Sequence, residues 1–395
     1  MPKVLRIINR FNLGGPTFNA ALLTKYMAPE FETRLVGGKE EDSEESSQHI
    51  LNDLGIEAFL VDEMQRDIGL ANDRQAYRSI KKLIKEFKPD IIHTHASKAG
   101  AIGRSAGIAY GKAKMVHTFH GHVFHSYFGP LKTNVYKNIE RALALKTDRI
   151  IAISQRQKLE LSMRYKICSP DKIDVIPLGF DLKKFNTGTE EKRKSFREFY
   201  NVADDEIAIG IVGRLVPIKN HKLFLDSIKT LTRSTDKKIR AFIVGDGEER
   251  ENLKGYSKHI GLDYLNGDFE PGKKATIHFT SWIKNVDWVN AGMDIIALSS
   301  LNEGTPVSLI EAQASCKPIV ATRVGGVGNI VQQNETALLS ESNCSKEFSN
   351  NLLQLVENEK LRNEMGKTGW EHVNEKFHYN RLVNDMSKLY NSLLR

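Results

Sequence analysis

Short β-branched runs alternate with helically spaced apolar stretches from one end of the chain to the other. Such alternation builds βαβ units, whose strands lie parallel and buried between helices. Runs at 4–8, 90–95, 115–119, 149–153 and 173–176 read as strands. Helical patterns lie between them at 17–27, 77–87 and 101–110, and Ser154 starts another. Ile176-Pro177-Leu178-Gly179-Phe180 then leads into an irregular polar stretch ending at Gly188, and the pattern restarts. Further strands are expected at 207–212, 241–244, 294–298 and 319–321, with a helix near 221–231. The 395 residues suffice for two such cores. The expected fold is therefore α/β, with two doubly wound domains, residues 1–180 and 181–377, facing a central cleft. Residues 378–395 carry apolar side chains at helical spacing (Leu382, Met386, Leu389, Leu393), and this helix is expected to pack back on the first domain.

Composition narrows the class. No window of about eighteen apolar residues exists to span a membrane. The N-terminus reads straight into a strand, so no signal peptide is expected. Three cysteines without paired spacing point to a reducing compartment, and a cytoplasmic location is expected. The net charge of +8 is unevenly placed: residues 101–185 hold 15 basic and 6 acidic side chains, while 186–395 hold 28 of each. That stretch is either a solubilising surface or one that faces something anionic. The acid-rich run 40–45 reads as a solvated loop.

In open parallel sheets, ligands bind outside the carboxyl ends of the strands. There lies the densest constellation, Ser299-Ser300-Leu301-Asn302-Glu303-Gly304-Thr305-Pro306-Val307-Ser308-Leu309-Ile310-Glu311. Thr305 suits a helix N-cap and Pro306 the first helical position. The amides of Val307, Ser308 and Leu309 would then be free, at the positive end of the helix dipole, for a diphosphate. Glu303 and Glu311 can each accept two hydroxyl hydrogen bonds, as the vicinal diols of sugars and ribose offer. Arg214 and Lys219, in Gly213-Arg214-Leu215-Val216-Pro217-Ile218-Lys219, supply two cations after a strand. Fixed cations stabilise a leaving diphosphate without a metal. Gly245-Asp246-Gly247 ends another strand and would let backbone approach a nucleotide, but the full G-x-G-x-x-G fingerprint of a nicotinamide site is missing. In the first half, Gly14-Gly15 would admit a donor phosphate or an acceptor, or is a plain tight turn. His117-Thr118-Phe119-His120-Gly121-His122 closes a further strand. No D-x-D occurs, and the histidines lack a carboxylate or cysteine companion, so no metal is expected.

With Glu303 and Glu311 eight residues apart, in NEGTPVSLIEAQASCKPIVATRVGG, the chain resembles family 4 of the glycosyltransferases. Members have the GT-B fold, two Rossmann-like domains facing a central cleft. The resemblance implies that Glu303 contacts hydroxyls of the donor sugar and Glu311 the nucleotide ribose. It implies that the backbone of Gly304, Thr305 and Val307 to Leu309 holds sugar and phosphates, that Arg214 and Lys219 hold the diphosphate, and that His120 faces the donor sugar. The base would lie near Gly245 and Thr280-Ser281-Trp282, where many relatives have glycine in place of Ser281. Family members mostly retain anomeric configuration, the leaving phosphate helping to deprotonate the incoming hydroxyl. An inverting enzyme would need a base such as His120, and the residues alone leave both routes open. UDP is the commonest donor nucleotide in the family, and no cofactor beyond the nucleotide sugar is implied.

The acceptor is read from Phe124, Tyr127 and Phe128 and the helix-like stretch 130–146 with Lys132, Lys137, Arg141 and Lys146. Aromatics beside cations suit an anionic bilayer, so residues 123–146 are expected to touch the inner membrane face and the acceptor to be a glycan or lipid-linked glycan, as in polysaccharide assembly. The rival enzymatic readings are a sugar-nucleotide epimerase or a phosphorylase of the same fold. Nucleic-acid binding is disfavoured by the absence of a recognisable module.

Overall fold

The computed structural model describes all residues except 13, 41–45, 66–68, 122–129 and 268–272. The acid-rich run, all but its first residue, and the aromatics Phe124, Tyr127 and Phe128 lie outside the described residues. Two compact units share the chain: Met1–Phe180 with Phe377–Arg395, and Asp181–Lys376.

The first unit holds β1 (Lys3–Arg10), β2 (Glu32–Gly38), β3 (Phe59–Leu60), β4 (Ile91–His95), β5 (Lys114–Phe119), β6 (Arg149–Ala152) and β7 (Ile173–Val175). They form one sheet in the order β3-β2-β1-β4-β5-β6-β7, and every pairing is parallel. Successive side chains of a strand point to opposite faces. Ile92, with Leu5 and Met115, therefore packs against the helices Leu70–Phe87 and Ser97–Tyr110, while Ile91 joins Val4, Val116 and Ile151 on the other face. That second face is covered by the C-terminal helix Tyr379–Leu394, whose Leu382, Met386 and Tyr390 are buried there. Its entry is pinned by Phe180 N–H donating to Phe377 O, and by Arg381 donating to the carbonyls of Pro177 and Leu178.

The second unit repeats the plan with β8 (Glu206–Val212), β9 (Lys238–Val244), β10 (Tyr264–Asn266), β11 (Ile277–Ser281), β12 (Ile295–Leu298), β13 (Ile319–Thr322) and β14 (Ala337–Ser340). The order is β10-β11-β9-β8-β12-β13-β14, again all parallel. In both units the chain winds outward from its first strand, returns, and winds outward on the other side. Loops leaving the two strands at the reversal, β1 and β4 or β8 and β12, diverge and open a crevice.

The strands β2, β3, β10, β11 and β14 are additions to the sequence expectation. β2 ends in two glycines, and β3 is two exposed residues long, so neither shows a β-branched run. β11, Ile-His-Phe-Thr-Ser, buries its histidine, which hides the apolar signal of a central strand.

Leu382→Ala is expected to remove about 2–5 kcal/mol of stability, because a fully buried leucine leaves a cavity between helix and sheet. Urea unfolding of the full chain measures it.

Candidate active site

The loops after β8 and β12 flank the reversal point of the second sheet, and they carry Arg214, Lys219 and Glu303. They are stitched together. Leu301 N–H donates to Ile218 O at 2.8 Å, Ser299 Oγ donates to Lys219 O at 2.9 Å, and Lys219 Nζ reaches Glu303 Oε1 at 2.6 Å. Ser300 Oγ donates to the same oxygen at 2.6 Å. Ser299 and Ser300 are fully buried, so these hydroxyls serve the loop rather than solvent. Arg214 is exposed and has no partner among the described residues.

Neighbouring loops press on this pair from both sides. A Cβ at Gly245 would collide with the Gly213 carbonyl, and one at Gly247 with Leu215. Leu215 N–H donates to Asp246 O, locking the two loops. Gly245 was expected to make room for a nucleotide; the structure shows its bare Cα filled by the loop that carries Arg214. On the far side, Cβ atoms at Gly325 and Gly326 would strike the carbonyls of Glu303 and Gly304, and Gly326 N–H donates to Glu303 O at 2.9 Å. The two glycines after β13 therefore set the height of the Glu303 loop. Gly304 itself has nothing within 4 Å of its Cβ position.

Beyond this loop stands the helix Val307–Ala314. Its N-cap is Pro306, in an extended conformation, with no side-chain cap. Thr305 is thus not the cap, and the helix starts one residue later than expected. Leu309 N–H donates to Pro306 O, so the Leu309 amide is not free as anticipated. The amides of Val307 and Ser308 have no partner among the described residues. Glu311 follows within the helix. Burial pushes its carboxyl up to about 7, against a lowering effect of Lys184. Trp282 is 57% exposed. Ser281 before it has φ +69°, a left-handed conformation that explains why glycine suits this position, and its Oγ donates to Asp246 Oδ2 at 2.9 Å.

In the first unit, the reversal point lies between β1 and β4. Gly14 caps the helix Gly15–Tyr26 in an extended conformation, and no close contact demands glycine at Gly14 or Gly15. His120, after β5, shares a 2.9 Å hydrogen bond between its Nε2 and His95 Nδ1. Burial lowers its pKa to about 3, so His120 is neutral. Arg141, one of the cations of the stretch expected to face a membrane, donates to the carbonyls of Lys166 and Tyr165. The side chain of Lys132 lies outside the described residues. Among the described residues, no helix is long and apolar enough to cross a membrane.

Two cations, two carboxylates and a pair of free amides at one sheet reversal suit an anionic, polyhydroxylated ligand. Such a site on the second of two doubly wound units defines the GT-B class of glycosyltransferases. Residues 22–184 match the family described as Glycosyltransferase Family 4, and residues 192–372 that described as Glycosyl transferases group 1. The chain belongs to glycosyltransferase family 4. It is 30% identical to the UDP-Gal:alpha-D-GlcNAc-diphosphoundecaprenol alpha-1,3-galactosyltransferase of Escherichia coli, over 86% of this chain and 84% of that one. It is 25% identical to the capsular polysaccharide biosynthesis glycosyltransferase CapM of Staphylococcus aureus, over 84% of each. The fold is that of a glycosyltransferase from Rickettsia africae ESF-5, with a TM-score of 0.82 at 20% identity over 100% of this chain and 99% of that one. Anabaena Alr3699/HepE, solved in complex with UDP, gives 0.81 at 18% identity over 99% and 100%.

Sequence reasoning passed over Ser300, Gly325, Gly326, His95 and Tyr390. Gly325-Gly326 stood within the quoted motif, and their adjacency was the available signal.

Gly326→Ala is expected to destabilise the second unit by about 1–3 kcal/mol, since the new methyl must displace the Gly304 carbonyl. Chemical denaturation against the parent chain measures the loss.

Proposed function

We propose that this glycosyltransferase moves a hexose from a UDP-sugar to a hydroxyl of a lipid-linked glycan, with retention of configuration and without a metal ion. The observation that carries the reading is the Lys219–Glu303 contact, which brings a phosphate-binding cation and a sugar-binding acid to one loop before a helix with free amides. As the glycosidic bond breaks, negative charge grows on the departing diphosphate. Arg214, Lys219 and the amides of Val307 and Ser308 are fixed donors for that charge and need no reorganisation. Glu303 orients sugar hydroxyls, and Glu311 accepts from the ribose diol. Retention follows if the departing phosphate oxygen takes the proton of the attacking hydroxyl on the same face. His120, being neutral, serves as a hydrogen-bonding group to the sugar.

The lipid-linked acceptor is supported by the E. coli relative, whose name gives its acceptor as alpha-D-GlcNAc-diphosphoundecaprenol. It is also supported by exposed Val135, Ile139 and Leu145 on the helix Pro130–Leu145, a surface suited to peripheral contact with an anionic membrane. UDP-galactose with a GlcNAc-diphospholipid is the first pair to assay, with the anomeric configuration of the product read by NMR. A thermal-shift panel of UDP-, GDP- and ADP-sugars tests the base. If only GDP- or ADP-sugars stabilise the protein, the UDP assignment fails.

Arg214→Ala and Glu311→Ala are each expected to lower kcat/KM by about a hundredfold or more while leaving thermal unfolding unchanged. Near-normal transfer in either variant would remove it from the site. UDP affinity is expected to depend on pH. Glu311, at about 7, holds its proton at pH 6, yet must be a carboxylate to accept both ribose hydroxyls. UDP should therefore bind about tenfold more tightly at pH 8 than at pH 6. Calorimetry should show proton release on binding, and Glu311→Gln should flatten the profile.

A further inference from the structure

The carboxyl ends of β4 and β5 gather His93, His95, His117 and His120, and the proposed chemistry uses His120 alone. We propose that His95 is a positioning residue for His120, held in turn by His93 and the Tyr390 hydroxyl of the C-terminal helix. This rests on the assignment of His120 to the donor sugar.

The hydrogen bonds fix the cluster from the bottom upward. Arg6 is fully buried, donates to Thr24 Oγ1 and Met27 Sδ, and sets its guanidinium 5.9 Å from the centroid of the Tyr390 ring. The Tyr390 hydroxyl lies 2.6 Å from His93 Nδ1. His93 Nε2 lies 2.7 Å from Thr118 Oγ1, so both nitrogens of the ring have hydrogen-bond partners. Burial, aided by the charge of Arg6, keeps His93 and His95 neutral. The His93 ring thus has no freedom to turn. His95 lies against it, with ring centroids 4.1 Å apart, and its Nδ1 meets His120 Nε2 at 2.9 Å. The next residue, Ala96, has φ +65° and ψ 165°, a region that non-glycine residues occupy only where their surroundings impose it. His95 is therefore clamped by the ring below and the backbone beyond. Each neutral ring has one donor and one acceptor nitrogen, so the His95 contact leaves His120 only Nδ1 for any further partner.

The test is a double-mutant cycle with a rescue. His95→Ala, His120→Ala, the double variant and His95→Asn are compared in transfer from UDP-galactose to the GlcNAc-diphospholipid. UDP affinity and thermal unfolding are measured on each. Asparagine places an amide nitrogen near the site of the histidine Nδ1. His95→Ala and His120→Ala should each lower kcat by about a hundredfold, the double variant should be no worse, and His95→Asn should recover most of the rate. UDP affinity should stay within about twofold throughout. Losses that multiply in the double variant, or an asparagine variant as slow as the alanine one, would overturn the proposal. Full kcat in His120→Ala would remove the His120 assignment itself, and the proposal with it. A second arm needs no substrate: imidazole 15N spectra should show one dominant His120 tautomer in the parent and in His95→Asn, and a mixture in His95→Ala. An unchanged spectrum in His95→Ala overturns the proposal.

Discussion

The second unit depends on one contact, the Lys219 ammonium against the Glu303 carboxylate across the reversal of its sheet. Parallel winding forces the loops after β8 and β12 apart, which is why a crevice exists there at all. An open crevice would leave both loops free to drift. The ion pair, the Ser299 hydroxyl on the Lys219 carbonyl and the Leu301–Ile218 backbone bond hold them together at its rim. The bracing continues outward through missing side chains. The Gly245 loop rests on the Gly213 carbonyl, and the Gly325-Gly326 loop rests on Glu303 and Gly304. Loops from four neighbouring strands thus form one continuous backbone shelf. A site built this way is preorganised, the condition under which fixed dipoles and charges act most strongly on a developing anion.

The two glutamates of the motif share a residue type but not an environment. Glu303 sits on the shelf and meets an ammonium and a hydroxyl at once. Glu311, eight residues on, lies inside the helix that the shelf supports, where burial favours its protonated form near neutral pH. The first is suited to hold a fixed orientation, the second to respond to what binds. The same desolvation that makes Glu311 costly to ionise strengthens any hydrogen bond it makes once ionised.

Much of this was legible in the sequence, for reasons tied to distance along the chain. Tyr379–Leu394 was readable to within one residue at each end because its apolar spacing is uninterrupted. The Glu303–Glu311 segment was readable because strand end, loop and helix start are contiguous, so local rules suffice. The N-cap was misplaced by one residue because Thr305 and Pro306 both favour helix starts and only the backbone angles separate them. The glycines were legible only in part. A bare Cα signals close approach, but not of what, and at Gly245 the loop of Gly213 stands where a Cβ would. Arg141 was read with the membrane-facing cations, and local rules could not supply its carbonyl partners, 24 and 25 residues away.

The first unit shows why the remainder was hidden. Its sheet reverses just as the second one does, yet Arg6 beneath it has no carboxylate partner among the described residues, and neutral histidines stand where the second unit has charges. The bond that orients them joins His93 to Tyr390, 297 residues apart. No spacing rule reaches that far, and buried histidines in a strand read as mere interruptions of an apolar run. Once the C-terminal helix covers that face, the interruptions become the point. β4 is polar at His93, Thr94 and His95 because hydroxyls and rings arrive from β5 and from Tyr390 to satisfy it. A buried polar strand without such partners would cost more than the fold could recover. The C-terminal helix therefore satisfies a buried polar group of the first sheet as well as packing on it.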